Sequence, residues 1–402
     1  VPLPPMLSLS MIVRDEAERL GACLEAVQGF VDEMVIIDTG SSDSTVAIAR
    51  AQGAVVHELP WPGDFAPARN QALEHVSGDW VLVLDADEQL RPEARSPLRA
   101  LMAQPNVLLI NLLRHELGSQ QSPYSSVSRL FRRHPAIRWS RAYHAMVDDS
   151  VSELLAAEPH WRLADCPEPA LLHSGYRPEL LASGNKAARL REAMERELLE
   201  RPGDPYVCAK LGGLEISTGN RARGLELLER GLVHCPTGAH PERYELLLHL
   251  AMARSAADPA AAEALYRQAL EQPLNPRLTL AARLNLAAQL LEQGRPEEAE
   301  RLTETATAVA PEVALGWYNL GLIRRRQGDI AGALGAYGRA LELAPDYAEA
   351  QQNLAVAQLL GGNIDAARAS FRRAIALLQQ QGRGEEAGKL REQAGAMVKL
   401  EA

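Results

Sequence analysis

Over residues 7 to 90, short apolar runs that stop at acidic or turn residues alternate with stretches whose apolar positions recur every three or four residues. Runs of that length suit buried strands and the three-four spacing suits amphipathic helices, so the pattern predicts a layered βα unit. Residues 7–13 (LSLSMIV) read as a first strand, after which Arg14, Asp15 and Glu16 open a helix with apolar positions Leu20, Cys23, Leu24 and Val27. Residues 31–38 (VDEMVIID) are a second strand. It runs through TGSSDST into a helix over 46–51, with Gly40 allowing the turn and Ser41, Ser42 and Asp43 offering caps. Residues 54–59 form a third short strand, Arg69 and Asn70 begin the next helix, and Gly78-Asp79 turns into VLVLDADE, residues 81–88.

That last run organises the rest. Its apolar part is too short for a useful helix and ends at Asp85 and Asp87, which predicts a buried parallel strand emptying into a site. Ligands of open α/β sheets bind at the carboxyl ends of strands, and two acids there can present oxygens to a hard cation such as Mg²⁺ or Mn²⁺ carrying a diphosphate. A solvated strand-end turn is the plain alternative for a D-x-D triplet alone. Asp38 ends the second strand in the same way. Arg69, placed at a helix start where the dipole disfavours a cation, requires an anion; a nucleotide phosphate and Asp64 are the two candidates.

Residues 106–113 (NVLLINLL) add a strand, and SSVSRLFRRHPAIRW surrounds a basic cluster of Arg129, Arg132, Arg133 and Arg138, read as a solvated edge. LLHSGY, residues 171–176, ends this half, and residues 178–200 make one long charged helix broken by Pro202, Gly203 and Pro205. Beyond it the period changes. Leu286, Leu320 and Leu354 are spaced by 34, as are Gly294, Gly328 and Gly362, and Ala299, Ala333 and Ala367. With GWYNLGLIRRRQGDIAGALGAYGRALELAP, these positions resemble the tetratricopeptide repeat, whose helical pairs bury one face on the next pair.

Composition narrows the function. The 402-residue chain, with 47% apolar and 23% charged residues, has the make-up of a multi-domain globular protein. A net charge of -10 leaves no broad basic face for nucleic acid. Four scattered cysteines, Cys23, Cys166, Cys208 and Cys235, point to buried thiols. No run reaches the ~18 apolar residues of a membrane span, and VPLPPM lacks the features of a signal peptide, so the expectation is a cytoplasmic protein.

The blocks SMIVRDEAERLGACL, VDEMVIIDTGSSDST, DFAPARNQAL and GDWVLVLDADE, in this order, resemble the family 2 glycosyltransferases of the GT-A fold. The branch most similar holds lipopolysaccharide-core glucosyltransferases and repeat-bearing peptide S-glycosyltransferases. The resemblance implies an α/β GT-A (Rossmann-like) nucleotide-sugar domain over 6–176. A linking helix at 177–204, an all-α solenoid of five tetratricopeptide repeats at 205–381 and a capping helix at 382–402 follow. It implies a metal-dependent inverting transferase using Mn²⁺ or Mg²⁺ and a nucleotide-sugar donor, UDP-linked, with a peptide, protein or saccharide acceptor. The repeats would dock the acceptor or pair with a second copy as a homo-oligomer; a catalytically inactive protein-binding adaptor is the alternative. Carried onto this chain, Asp38 holds the base or ribose with the backbone near Ile12 to Arg14, and Arg69 lies by the diphosphate. Asp85 and Asp87 position metal and sugar, and His173 in the H-x-G-Y-like ending completes the metal site. In AYHAMVDD, His144 matches the family's V-H-E type block, but Ala145 stands where relatives have glutamate. The catalytic base is then Asp148, His144, Asp149 or Glu88, or the acceptor is itself acidic, as a thiol is.

Overall fold

A computed structural model describes residues 5–119, 122–141, 145–174 and 186–399. It divides into two compact units, Val1–Pro202 and Gly203–Ala402.

The first unit runs β1 (Leu7–Val13), α1 (Leu20–Val27), β2 (Glu33–Asp38), α2 (Thr45–Ala51), β3 (Val55–Glu58), α3 (Phe65–His75), β4 (Trp80–Val83) and β5 (Glu88–Leu90). It continues with α4 (Arg95–Met102), β6 (Val107–Glu116), β7 (Tyr124–Arg132), α5 (Asp148–Ala157), β8 (Arg162–His173) and a helix over Lys186–Glu200. The strands form one mixed sheet in the order β3-β2-β1-β4-β7-β6-β8-β5. β3, β2, β1 and β4 are parallel, so their carboxyl ends share one edge. β7 is antiparallel to both β4 and β6.

Alternation along the strands sends apolar side chains to both faces, which both need cover. Leu7, Leu9, Met11, Val13, Leu82 and Leu130 pack under α1 and α4 with Leu20, Cys23, Leu24, Val27 and Leu98. On the other face Val35, Val81, Val83, Phe131 and Trp139 pack with Ala66 of α3 and with Val151 and Leu154 of α5. The four apolar positions expected of the first helix are thus the four it buries.

Three expectations change. Helix α1 starts at Leu20 rather than at Arg14, because Asp15 adopts φ 52° and the chain before the helix is tied to the loop after β2. There Glu16 N–H donates to Thr45 Oγ1 at 2.7 Å, Ser42 N–H donates to Asp15 Oδ1 at 2.7 Å, and Ala17 N–H donates to Asp43 Oδ2 at 3.2 Å. Helix α3 starts at Phe65 with Asp64 as its cap, so Arg69 sits in the second turn and Asp64 is occupied by the Ala66 N–H at 2.9 Å. VLVLDADE is not one strand: β4 stops at Val83, Glu88 N–H closes a turn on the Asp85 carbonyl at 3.0 Å, and β5 departs along β8.

The second unit is helical. Pro205–Ser217 pairs with Arg221–His234, His240–Arg254 with Pro259–Leu270, Leu280–Glu292 with Pro296–Val309, Ala314–Gln327 with Ile330–Leu343, and Ala348–Leu360 with Ile364–Gln380. Gly384–Met397 follows as one further helix. The glycine period has a backbone cause. Gly294, Gly328 and Gly362 hold φ of 76°, 85° and 80° in the turn between paired helices, a left-handed conformation that costs other residues about 1 kcal/mol or more. The alanine period has a packing cause: Ala299, Ala333 and Ala367 are fully buried where helices meet.

Gly321 is needed for space instead. A Cβ there would lie 2.5 Å from the ring of the fully buried Tyr337. Gly321→Ala is expected to cost roughly 1–3 kcal/mol of overpacking, read as a lower urea midpoint of the helical signal; an unchanged midpoint would show that the ring can move aside. All four cysteines are buried free thiols. Among the described residues no helix is long and apolar enough to cross a membrane.

Candidate active site

The parallel strands bring Asp38 and Ile12 to the same sheet edge, with Val13 paired to Asp38 and Ile12 to Ile37. Asp38 is buried, and its Oδ2 accepts the Gly40 and Ser41 N–H groups at 3.1 and 3.0 Å. Its Oδ1 is buried with no hydrogen-bond partner. A buried carboxylate oxygen without a donor is rare and marks a place where a donor is supplied by something else. Arg14 lies just beyond β1, exposed, with Nε 3.9 Å from Asp15 Oδ2.

At the end of β4 the two acids of D-x-D part company. Asp85 is gripped by two arginines: Arg69 Nη2 donates to Oδ1 and Arg129 Nη2 to Oδ2, both at 2.7 Å. Both guanidinium groups are largely buried and lean on Trp139, 4.8 and 6.0 Å from the ring centroid. Asn70 holds that indole's backbone, accepting from Trp139 N–H at 2.7 Å and donating to its carbonyl at 3.0 Å. Burial alone would raise the Asp85 carboxyl, but the charges of Arg129 and Arg69 prevail and hold it well below the usual carboxylate range.

Arg129 reaches this position through a bulge. Ile110 pairs with Leu130 and Leu112 with Val127, so Ser128 and Arg129 together oppose the single residue Asn111.

Asp87 faces another group. Its Oδ2 is 3.3 Å from His173 Nε2 and 3.6 Å from Arg19 Nη1. His173 ends β8, where the register sets it between Glu88 of β5 and Glu116 of β6. Its Nδ1 hydrogen-bonds Glu116 Oε2, while Glu116 Oε1 accepts from Arg114 Nε at 2.9 Å and from Ser125 Oγ. Arg114 Nη1 continues to Glu88 Oε1 at 2.6 Å, and Glu88 Oε2 accepts the Asp85 N–H at 2.9 Å. Burial lowers the imidazole pKa, but the ring's hydrogen bonds to Asp87 and Glu116 outweigh it and raise it to about 9. Burial likewise raises both carboxyls, and the bond to His173 turns Asp87 and Glu116 below their ordinary values.

Two comparisons bear on this geometry. A family model described as glycosyl transferase family 2 matches residues 8–155, and tetratricopeptide-repeat models match 284–339 and 318–382. A TPR repeat-containing protein of Synechococcus elongatus is 43% identical over 309 residues, 76% of either chain. The chain belongs with that TPR repeat-containing protein, and it carries a glycosyl transferase family 2 domain ahead of its tetratricopeptide repeats. An uncharacterized glycosyltransferase of Rickettsia felis is 31% identical over 136 residues, 32% of this chain and 48% of its own. Glycosyltransferase SunS of Bacillus phage SPbeta is 22% identical over 205 residues, 50% of this chain and 47% of its own. This glycosyltransferase therefore spans about half the length of those two relatives.

Within the glycosyltransferase several expected roles move. Arg69 is paired with Asp85 rather than with Asp64, and its Nε and Nη1 are buried without a hydrogen-bond partner. Each Asp85 oxygen accepts an arginine N–H, which turns the carboxylate toward Arg69 and Arg129 while Asp87 faces His173. Among the described residues no cluster of three or more His, Cys, Asp and Glu side chains is arranged to hold a metal ion. What remains is a pair, Asp87 and His173. A carboxylate with an imidazole fits a divalent cation that draws its other ligands from phosphate oxygens and water.

The basic cluster is not a solvated edge: besides Arg129, Arg132 donates to the Val107 and Gln104 carbonyls at 2.6 and 2.9 Å, and Arg133 donates to that of Gly78 at 2.8 Å. Only Arg138 fits that reading, exposed and paired with Glu153 at 3.0 Å.

Of the base candidates, Glu88 is fully buried and ion-paired. Asp149 accepts from Ser140 at 2.7 Å, Arg141 at 3.1 Å and Arg201 at 3.0 Å. Against its burial, Arg141 and Ser140 lead in holding it at about 2, which suits neither acid nor base work near neutrality. Asp148 is the exposed first residue of α5 and accepts from Ser128 Oγ at 2.7 Å. His144 lies outside the described residues.

Glu116, Arg114 and Arg19 were not singled out by the sequence. One signal was available: Arg114 and Glu116 continue the period-two alternation past the apolar part of β6, placing two charges on one strand face.

Proposed function

We propose that this glycosyltransferase is an inverting, metal-dependent enzyme that moves a hexosyl group from a UDP-sugar to a peptide or protein acceptor docked by its repeats. The observation that carries the reading is Asp87 Oδ2 facing His173 Nε2 at 3.3 Å, at the strand edge where Asp38 keeps an unpartnered buried oxygen. Asp38 Oδ1 would accept a ribose hydroxyl or a base N–H, which anchors the nucleoside. A divalent cation held by Asp87 and His173 would neutralise charge on the departing diphosphate. Arg69 and Arg129 keep Asp85 and the turn after it in one place, so that Asp87 is aimed without rearrangement. Asp148, exposed at a helix N-terminus, is the proposed base for the acceptor's proton, and an acceptor thiol would need least help from it. The protein is proposed to act in the cytoplasm.

Thermal stabilisation against a panel of nucleotide-sugars, with and without Mn²⁺, tests donor and cation together. A rise in melting temperature with one UDP-sugar that requires Mn²⁺ and coincides with UDP release is expected. Soaked crystals with UDP bound away from Asp38 and Asp87 would end the reading.

A further inference from the structure

We infer that Glu116 is the positioning residue that sets which nitrogen of His173 faces the diphosphate-binding corner; the inference rests on the metal-site reading above. Glu116 is buried at the end of β6, and its two oxygens are divided between fixed partners. Oε1 receives Arg114 Nε and Ser125 Oγ, which leaves Oε2 for His173 Nδ1. Arg114 is itself anchored by Glu88, and both strands that carry Glu88 and Glu116 pair directly with His173. The ring is therefore held by main-chain register on two sides and by a charged hydrogen bond behind it.

The chemistry follows from the donor count. An ionised carboxylate can only accept, so Nδ1 carries a proton, and Nε2, the nitrogen turned toward Asp87, is the one on which a divalent cation would take the place of a proton. A carboxylate behind a ligating histidine fixes its tautomer, orients the ring and makes it a stronger donor. Arg114 and Ser125, both bonded to Oε1, hold the Glu116 carboxylate behind the ring.

Glu116→Gln isolates this role. The amide oxygen can still accept from Arg114 and Ser125, but its NH₂ must donate to Nδ1, which forces the ring proton onto Nε2 and removes the lone pair facing Asp87. Mn²⁺ uptake is measured by electron paramagnetic resonance on the full chain in the presence of UDP, with circular dichroism and the urea midpoint reporting the fold. The expected result is a loss of about 10- to 100-fold in Mn²⁺ affinity, with near-native folding and a KM for the donor that rises at matched free Mn²⁺. His173→Ala should give at least the same loss, and Glu116→Gln added to it no further loss. Should Glu116→Gln not fold, Glu116→Asp, which withdraws the carboxylate by one methylene, is expected to weaken Mn²⁺ as well. Wild-type uptake matched by Glu116→Gln, or losses that add in the double variant, would overturn the assignment alone. Wild-type protein that takes up no Mn²⁺ with UDP would overturn both the assignment and the reading beneath it.

Discussion

Asp87→Ala is expected to lower Mn²⁺-dependent UDP release by roughly 10²–10³-fold or more, the scale of losing one preorganised electrostatic contact at a reacting centre. The side chain acts through one oxygen, Oδ2, which faces His173 Nε2. Its backbone does separate structural work: the Asp87 carbonyl accepts the Ser174 N–H at 3.1 Å and Ser174 Oγ at 3.3 Å, contacts that alanine keeps. The loss should therefore appear in turnover and Mn²⁺ dependence, with a smaller fall in the urea midpoint than Asp85→Ala gives, since the pairing with His173 and Arg19 is lost as well. Release within tenfold of wild type at saturating donor would remove Asp87 from the chemistry.

Asp85→Ala should behave in the opposite way, failing first in stability. It leaves Arg69 and Arg129 buried without their common anion, and breaking a buried pair of this kind costs about 3–5 kcal/mol. Four of the five tryptophans, Trp61, Trp80, Trp139 and Trp161, lie in the first unit, so intrinsic fluorescence in urea reports mainly on it. The pH dependence has a definite sign. Because the folded Asp85 pKa is depressed, its stabilisation is present above the unfolded value near 4 and is lost as pH falls toward the folded one. The gap between wild type and Asp85→Ala should thus be full at pH 7 and narrow by about 1.4 kcal/mol for each pH unit below about 4. A gap that widens on acidification, or none at pH 7, would show that the two arginines do not depend on Asp85.

These two acids stand one residue apart in a motif that invites one role for both. The turn separates them: Glu88 N–H on the Asp85 carbonyl leaves Asp85 facing β7 and α3, while Asp87 faces β8. Spacing alone suggests a two-acid clamp on one cation; in the folded sheet Asp85 is paired with an arginine of β7 whose direction depends on a bulge, and Asp87 is left beside His173.

The sequence by itself determined the layers and the periods. Apolar positions at period two and at three-four specify which face of a strand or helix is buried, because burial is repaid residue by residue along a local pattern. Leu20, Cys23, Leu24 and Val27, and the glycines and alanines spaced by 34, were legible for that reason. Only the tertiary structure decided which charges meet. Arg129 reaches Asp85 across 44 positions and Glu116 reaches His173 across 57, and nothing in a local pattern selects one arginine or one glutamate among many. Ion pairing depends on register, bulges and strand order, which are properties of the assembled sheet, and the site's electrostatics were settled there.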